Sequence, residues 1–275
     1  MRIPWEVHFL QEPKIRFTNV TKIFKTHRQI ITAVEKANLE IHEGDFVSLI
    51  GPSGCGKSTI IRMLNDITKP TSGEIYVDGE MIPQKKKISS KQIRKMGFIF
   101  QQPNLLPWMT VRQNVSLPLK VFGLKDEKWE KNVDKLLEMV GLKEYEDAYP
   151  SEISSGMIQK IGVIRAMVHD PEILLMDEPF GALDEMTREQ LDIELLDIWS
   201  RTKKTIVFIT HNVEEAILMA SKVYVMGTNP GRIVAEVEID LERPRRLDMI
   251  TETKFIEYEK KLTSLIGEID LSKIK

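Results

Sequence analysis

Apolar residues in this chain follow two rhythms. Short continuous runs stand at Phe46-Val47-Ser48-Leu49-Ile50, Met96-Gly97-Phe98-Ile99-Phe100, Ile173-Leu174-Leu175-Met176, Ile206-Val207-Phe208-Ile209 and Val223-Tyr224-Val225-Met226. Runs of this length predict strands covered on both faces. Between them, apolar positions recur at helical spacing: Ile60, Ile61, Met63 and Leu64; Val133, Leu136, Leu137 and Val140 within 128–142, closed by Gly141; and Leu191, Leu195, Ile198 and Trp199 within 187–202. Strands alternating with helices predict an α/β fold with a mainly parallel sheet and helices on both faces. Shorter runs before residue 50 (Ile15-Arg16-Phe17, Ala33-Val34, Leu39-Glu40-Ile41) predict further strands, and 73–79 a strand closed by the Asp78-Gly79 turn signal. Residues 103–154 break the alternation and read as a mainly helical insertion. Beyond Thr228, Asn229-Pro230-Gly231 predicts a turn, followed by a tail of polar strand-like and helical stretches.

The first continuous run ends in Gly51-Pro52-Ser53-Gly54-Cys55-Gly56-Lys57-Ser58-Thr59. This is the phosphate-loop pattern G-x-x-x-x-G-K-[S/T], placed between a strand and a helix, as its chemistry requires. The bare pattern arises by chance in on the order of one chain in a hundred of this length, and the strand–helix context makes an ordinary glycine turn less probable still. The glycines allow backbone N–H groups to converge on an anion, and the following helix contributes its own N–H groups and dipole. Lys57 supplies a point charge for the β- and γ-phosphates, and the Ser58 hydroxyl suits Mg2+. Cys55, the single cysteine, fills a variable loop position and is expected to be a small spacer.

Composition narrows the class. The 275 residues are 42% hydrophobic and 29% charged, with a net charge of −2. One large domain is expected, with no global electrostatic case for nucleic acid. One cysteine excludes a disulfide framework. Met1 to Leu10 hold no signal-peptide core, and no run approaches about 18 apolar residues. The expected location is cytoplasmic. The Lys85-Lys86-Lys87 run is expected to be a solvated loop.

Other candidate chemistry stands at strand ends. Asp177 and Glu178 close an apolar run, which delivers carboxylates to the crevice where α/β sheets bind ligands. Asp177 suits a Mg2+ ligand, and Glu178 a general base that polarises the attacking water. A pair of surface acids is the plainer alternative, disfavoured by the apolar run before them and Pro179 after. His211 follows another strand; it either caps the next helix or donates a hydrogen bond near a γ-phosphate. Gln101 ends a third strand, where a glutamine can reach Mg2+ or water; alone it is an ordinary loop residue.

Together these residues resemble the ATP-binding cassette (ABC) ATPases over roughly residues 14–228. Gly51–Thr59 matches the family's Walker A motif, Ile173–Glu178 its Walker B motif, Gln101 the Q-loop glutamine, Ala182-Leu183-Asp184 the D-loop, and His211 the switch histidine. The resemblance implies a phosphate-loop NTPase fold with an N-terminal antiparallel β region and an inserted helical subdomain at about 103–160. It sets a domain boundary at 228, with 229–275 as a C-terminal extension. It also implies that Phe24 stacks on adenine. The signature Leu-Ser-Gly-Gly-Gln is met partially by Ile153-Ser154-Ser155-Gly156-Met157: Ser154 is kept, but Ser155 puts a side chain where a backbone should approach phosphate closely. Ser154, Ser155 and Gly156 are expected to contact ATP held by a second copy.

A finer resemblance is carried by Gln101-Gln102-Pro103-Asn104-Leu105-Leu106-Pro107-Trp108, Asp177-Glu178-Pro179-Phe180-Gly181-Ala182-Leu183-Asp184, Thr210-His211-Asn212-Val213-Glu214-Glu215-Ala216 and Asn229-Pro230-Gly231-Arg232-Ile233. It is similar to the ATPases of nitrate, sulfonate and taurine importers. This implies ATP and Mg2+ as cofactors, a homodimer, and separate transmembrane permease subunits with an external solute-binding protein. The chain is then peripheral on the inner face of the membrane. Trp108 and Met109 either lie at the coupling surface or pack inside the helical subdomain. The alternative reading is a soluble ABC ATPase without a transport role. DNA-repair members carry long coiled-coil insertions and translation members two cassettes; this chain has neither. A GTPase is disfavoured because the Asn/Thr-Lys-x-Asp pattern is absent.

Overall fold

The computed structural model describes residues 12–26, 29–84 and 86–271. The expectations for Met1 to Leu10 and for Lys85 lie outside these residues. The continuous apolar runs form the centre of the molecule: β3 (Phe46–Ile50), β6 (Met96–Ile99), β7 (Ile173–Asp177), β8 (Thr205–Ile209) and β9 (Lys222–Gly227). With β10 (Arg232–Glu238) they make one six-stranded sheet in the order β10-β9-β3-β8-β7-β6, parallel except for β10. Every residue of β3, β7 and β8 is buried, which explains why no polar alternation marks these strands.

Because successive side chains point to opposite faces, each strand feeds two cores. Phe46, Ile50, Leu174, Met176, Ile206 and Phe208 face one core. Val47, Leu49, Ile173, Leu175, Val207 and Ile209 face the other. The first core is covered by α5 (Ser155–Met167), α6 (Glu185–Thr202), α7 (Val213–Met219) and α8 (Thr253–Leu271). The second is covered by α1 (Lys57–Leu64) and a four-stranded antiparallel sheet. That sheet, in the order β2-β1-β4-β5, joins β1 (Ile15–Lys25), β2 (Ile30–Ile41), β4 (Ser72–Val77) and β5 (Glu80–Met81). The short runs seen before residue 50 are thus parts of two long strands.

The insertion is helical. After the short α2 (Ser90–Arg94), it contains α3 (Val111–Val121) and α4 (Glu127–Met139), which pack with α5. Thr110 starts α3 with a capping box to Gln113, a local signal that outweighs Pro118 inside the helix. Trp108 is 70% exposed, so of its two expected positions the packed one is not adopted. Asn114, fully buried, ties down the preceding turn: its amide donates to the carbonyls of Leu106 (3.1 Å), Met109 (3.0 Å) and Thr110 (3.0 Å) and accepts from Leu106 N–H (2.8 Å).

The anticipated boundary at 228 crosses the β9–β10 hairpin. Residues 232–238 form a strand of the central sheet, and α8 packs across α7 and β9. The polar strand-like stretch expected after the Asn229-Pro230-Gly231 turn is β10, an edge strand whose outward face carries Arg232, Glu236 and Glu238.

Candidate active site

The loop after β3 turns back at the end of the strand and enters α1. Gly51 (φ 149°) and Gly56 (φ 99°) both adopt conformations that favour glycine, and neither has room for a side chain. A Cβ on Gly51 would come within 2.3 Å of the Met226 carbonyl oxygen, and one on Gly56 within 2.5 Å of that of Ala33. Cys55 is buried in the adjoining core, and burial pushes its thiol pKa up, in keeping with a spacer. Lys57 is buried and folds back to donate to the carbonyls of Gly51 (2.7 Å) and Pro52 (3.3 Å).

An open cavity of about 340 Å3 is lined by Ser53 through Thr59 with Ala33, Gln101 and Glu178. The topology brings these residues together: β3, β6 and β7 are parallel, so the loops at their carboxyl ends lie on one edge of the sheet. The Ser58 hydroxyl donates to Asp177 Oδ1 at 2.8 Å, and Arg62 Nη2 lies 3.6 Å from Asp177 Oδ2. Burial raises the Asp177 pKa; the Ser58 hydrogen bond and the Arg62 charge oppose that rise without cancelling it. Glu178 has φ 47°, a conformation uncommon outside glycine and one of the strained positions that cluster at functional sites. Its Oε2 lies 3.2 Å from His211 Nδ1. His211 does not cap the next helix: Asn212 does, its side chain accepting from the Glu215 N–H at 3.1 Å.

Phe24 lies on β1, 40% exposed, with Lys22 Nζ 4.7 Å from its ring centroid; it is not part of the cavity wall. Ser154, Ser155, Gly156 and Asp184 are also outside it. Ser154 is the N-cap of α5 and Asp184 that of α6. Their side chains accept from Met157 N–H (3.3 Å) and Thr187 N–H (3.0 Å). The two helix starts are adjacent, since a Cβ on Gly156 would sit 3.2 Å from Thr187 Cγ2. Ser154, Ser155 and Asp184 are exposed.

Two features escaped the sequence. Gly231 supports the phosphate loop from behind: its carbonyl accepts from Glu35 N–H at 2.7 Å, and a Cβ there would fall 2.2 Å from the Cys55 oxygen and 2.3 Å from that of Ala33. The Asn-Pro-Gly turn was visible, but not the backbone it would meet. The second is an acid pair. Asp192 and Glu215 are both buried and interact electrostatically, and Thr210 Oγ1 donates to Glu215 Oε2. Arg188 and Glu189 on α6 and His211 beyond β8 are the charged or titratable groups facing them. Burial and Glu215 push the Asp192 carboxyl up to about 9; burial pushes Glu215 up too.

The family model described as ABC transporter matches residues 34–181. The chain is 41% identical over 262 residues to the "Uncharacterized ABC transporter ATP-binding protein MJ0412" of Methanocaldococcus jannaschii, covering 95% of this chain and 94% of that protein. It is 40% identical over 248 residues to "Aliphatic sulfonates import ATP-binding protein SsuB" of Bacillus cereus, covering 90% and 94%. Among solved structures, the dimeric post-hydrolysis state of the ATP-binding cassette MJ0796 bound to ADP and Pi matches with a TM-score of 0.71. Its identity is 32%, over 83% of this chain and 100% of that one.

Two outcomes follow from this geometry. Gly231→Ala forces the Cys55 and Ala33 carbonyls apart. Titration with a fluorescent ATP analogue should show affinity reduced about tenfold, equivalent to about 1.4 kcal/mol, with the circular dichroism spectrum retained; unchanged affinity would contradict the support role. The acid pair sets a pH dependence. The folded chain holds protons that the unfolded chain releases above its carboxylate pKa of about 3.8. The pair's stabilising contribution is therefore complete below about pH 4 and is lost as pH rises toward about 9, by up to about 1.4 kcal/mol per pH unit per proton. Asp192→Asn should flatten the stability–pH profile on the alkaline side in urea unfolding; a slope equal to that of the unaltered chain would refute it.

Proposed function

This chain belongs to the ABC transporter family and is an ATPase of that family, and we propose that it powers an importer of a small anion of the nitrate, sulfonate or taurine type. The observation that carries the catalytic part is the convergence on one cavity of the phosphate loop, Gln101 and Glu178, with Asp177 hydrogen-bonded to Ser58 and His211 beside Glu178. The importer reading rests on the motif set and on the 40% identity to sulfonate-import ATP-binding proteins. That likeness and the exposed Trp108 favour transport over the soluble alternative.

In this reading the backbone N–H groups of Gly51 to Thr59 cradle the β- and γ-phosphates, and Lys57 exchanges its carbonyl partners for phosphate oxygens. Phe24 is assigned to the adenine ring. The donors near Ser58 fit Mg2+: a hydroxyl, the Asp177 carboxylate and the Gln101 amide oxygen are hard oxygens. Mg2+ characteristically takes one or two carboxylates and completes its shell with water and substrate phosphates. When bound, it neutralises charge on the β- and γ-phosphates. Glu178 accepts the proton of the attacking water, and His211 orients Glu178 and donates to the γ-phosphate.

The exposed Ser154, Ser155 and Asp184 and the half-buried Gly156 are assigned to the ATP of a second copy, which makes the working unit a dimer; the dimeric state of the MJ0796 cassette supports this. Trp108, on the helical insertion, is assigned to the contact with membrane subunits, which work with an external solute-binding protein. Among the described residues, no helix is long and apolar enough to cross a membrane, so the assigned location is the inner membrane face, held by those subunits.

Glu178→Gln should retain ATP binding, lose most turnover in a phosphate-release assay and trap an ATP-bound dimer in gel filtration. Turnover at the normal rate would remove Glu178 from the base role. Ser155→Gly removes the side chain at the phosphate-facing helix start and should raise turnover. Unchanged turnover and ATP affinity would remove Ser155 from the composite site.

A further inference from the structure

A second cavity, of about 460 Å3, opens between the C-terminal half of α6 and the segment 241–246; it shares no lining residue with the nucleotide cavity. Its wall combines apolar surface from Ile193, Leu196 and Trp199 with the cations Lys203, Arg243 and Arg245. Lys203 Nζ and the Arg243 guanidinium stand 4.6 and 4.0 Å from the centroid of the Trp199 ring. Trp199 Nε1 and Arg245 Nε are buried donors without a hydrogen-bond partner among the described residues. Asp197, the acid on this wall, is already engaged by Arg201 at 2.8 Å.

The charge balance is one-sided. Neither arginine pairs with a carboxylate among the described residues. Arg243 donates to the Met219 carbonyl (3.0 Å), while Arg245 donates to those of Ile217 (2.6 Å), Leu218 (3.3 Å), Ala220 and Ile239 (2.9 Å). The carbonyl-rich end of α7 attracts these cations, but its partial charge is less than one electron against two whole charges. Burial lowers the pKa of both guanidiniums, yet arginine stays protonated at any physiological pH. Neighbouring cations repel each other; the carbonyl dipoles offset that repulsion only in part, and an anion would offset the rest.

We propose that this cavity binds a small organic anion, with its charged head at Lys203 and Arg243 and a short apolar tail against Ile193, Leu196 and Trp199. The site also reports to the nucleotide site. Arg243 and Arg245 hold the C-terminal end of α7, whose N-terminal end follows His211 and Asn212 directly. An anion that competes with those carbonyls for the guanidiniums loosens α7 and lowers turnover. This reading is independent of the transport assignment.

The test uses the full chain loaded with ADP, so that the phosphate loop is occupied, and titrates 1-butanesulfonate by calorimetry. One site per chain is expected. Lys203→Asn, which keeps a residue tolerant of the left-handed helix cap at φ 50°, should weaken binding about tenfold. Arg243→Gln should weaken it comparably, with folding checked by circular dichroism. No binding overturns the proposal, as does binding undiminished in Lys203→Asn. Equal binding of 1-butanol overturns charge recognition, and equal binding of inorganic phosphate overturns the role of the tail. Butanesulfonate at the Kd of the unaltered chain should lower ATP turnover in that chain and much less in Lys203→Asn, whose occupancy is then about a tenth. Binding with unchanged turnover, or equal loss in both chains, overturns the coupling to α7.

Discussion

Backbone crowding around the phosphate loop is the constraint on which the rest of this structure depends. The loop leaves the central strand β3 with carbonyl oxygens of Met226, Ala33 and its own Cys55 so close to Gly51, Gly56 and Gly231 that no side chain fits at any of the three. Packing of this kind fixes the path of the loop backbone, the arrangement an anion-binding nest needs. Three segments far apart in the chain supply that confinement: β2, β9 and the turn leading into β10. The C-terminal hairpin is therefore part of the nucleotide site's support, and the central sheet is incomplete without it.

Around that loop the fold holds its acids in two different environments. Asp177 lies behind the cavity-lining Ser58 with Ser58 and Arg62 as partners, so its negative charge has local support despite burial. Asp192 and Glu215 lie in the interior against each other, where Arg188 offsets only part of the desolvation, and the pair keeps its proton. The two environments meet at the end of β8. Thr210 bonds the buried pair, Asn212 donates its N–H to Thr210 Oγ1 at 3.0 Å, and His211 between them turns to Glu178. Thr210 thus ties the buried acids to the turn that carries His211.

Much of the fold and site was legible along the chain, for identifiable reasons. Parallel strands covered on both faces must be apolar throughout, so β3, β7, β8 and β9 announced themselves. Strand ends that carry Gln101, Asp177, Glu178 and His211 pointed to one edge of the sheet before any coordinate was known. Less was legible where a residue's role depends on what crosses it in space. The role of His211 stayed open between helix cap and γ-phosphate donor, because a polar residue at a strand exit suits either; Asn212 takes the cap. Asp192 and Glu215 sit in stretches rich in acids, and nothing local distinguishes a buried carboxyl from a solvated one. Nothing local in the sequence around Arg243 and Arg245 shows that the end of α7 lies against them.

By itself, the sequence determined the order of strands and helices, the phosphate loop and the residue types at each strand end, because these depend on periodicity and on the conformational freedom of glycine. Only the tertiary structure decided that β10 closes the central sheet, that Gly231 backs the loop, that the pair Asp192–Glu215 is buried, and that Ser154, Ser155 and Gly156 do not line the nucleotide cavity of their own chain. Those outcomes turn on contacts between segments separated by tens to nearly two hundred positions. Local propensity carries no record of such meetings; they are set by how two apolar faces and a crowded backbone can be packed at once.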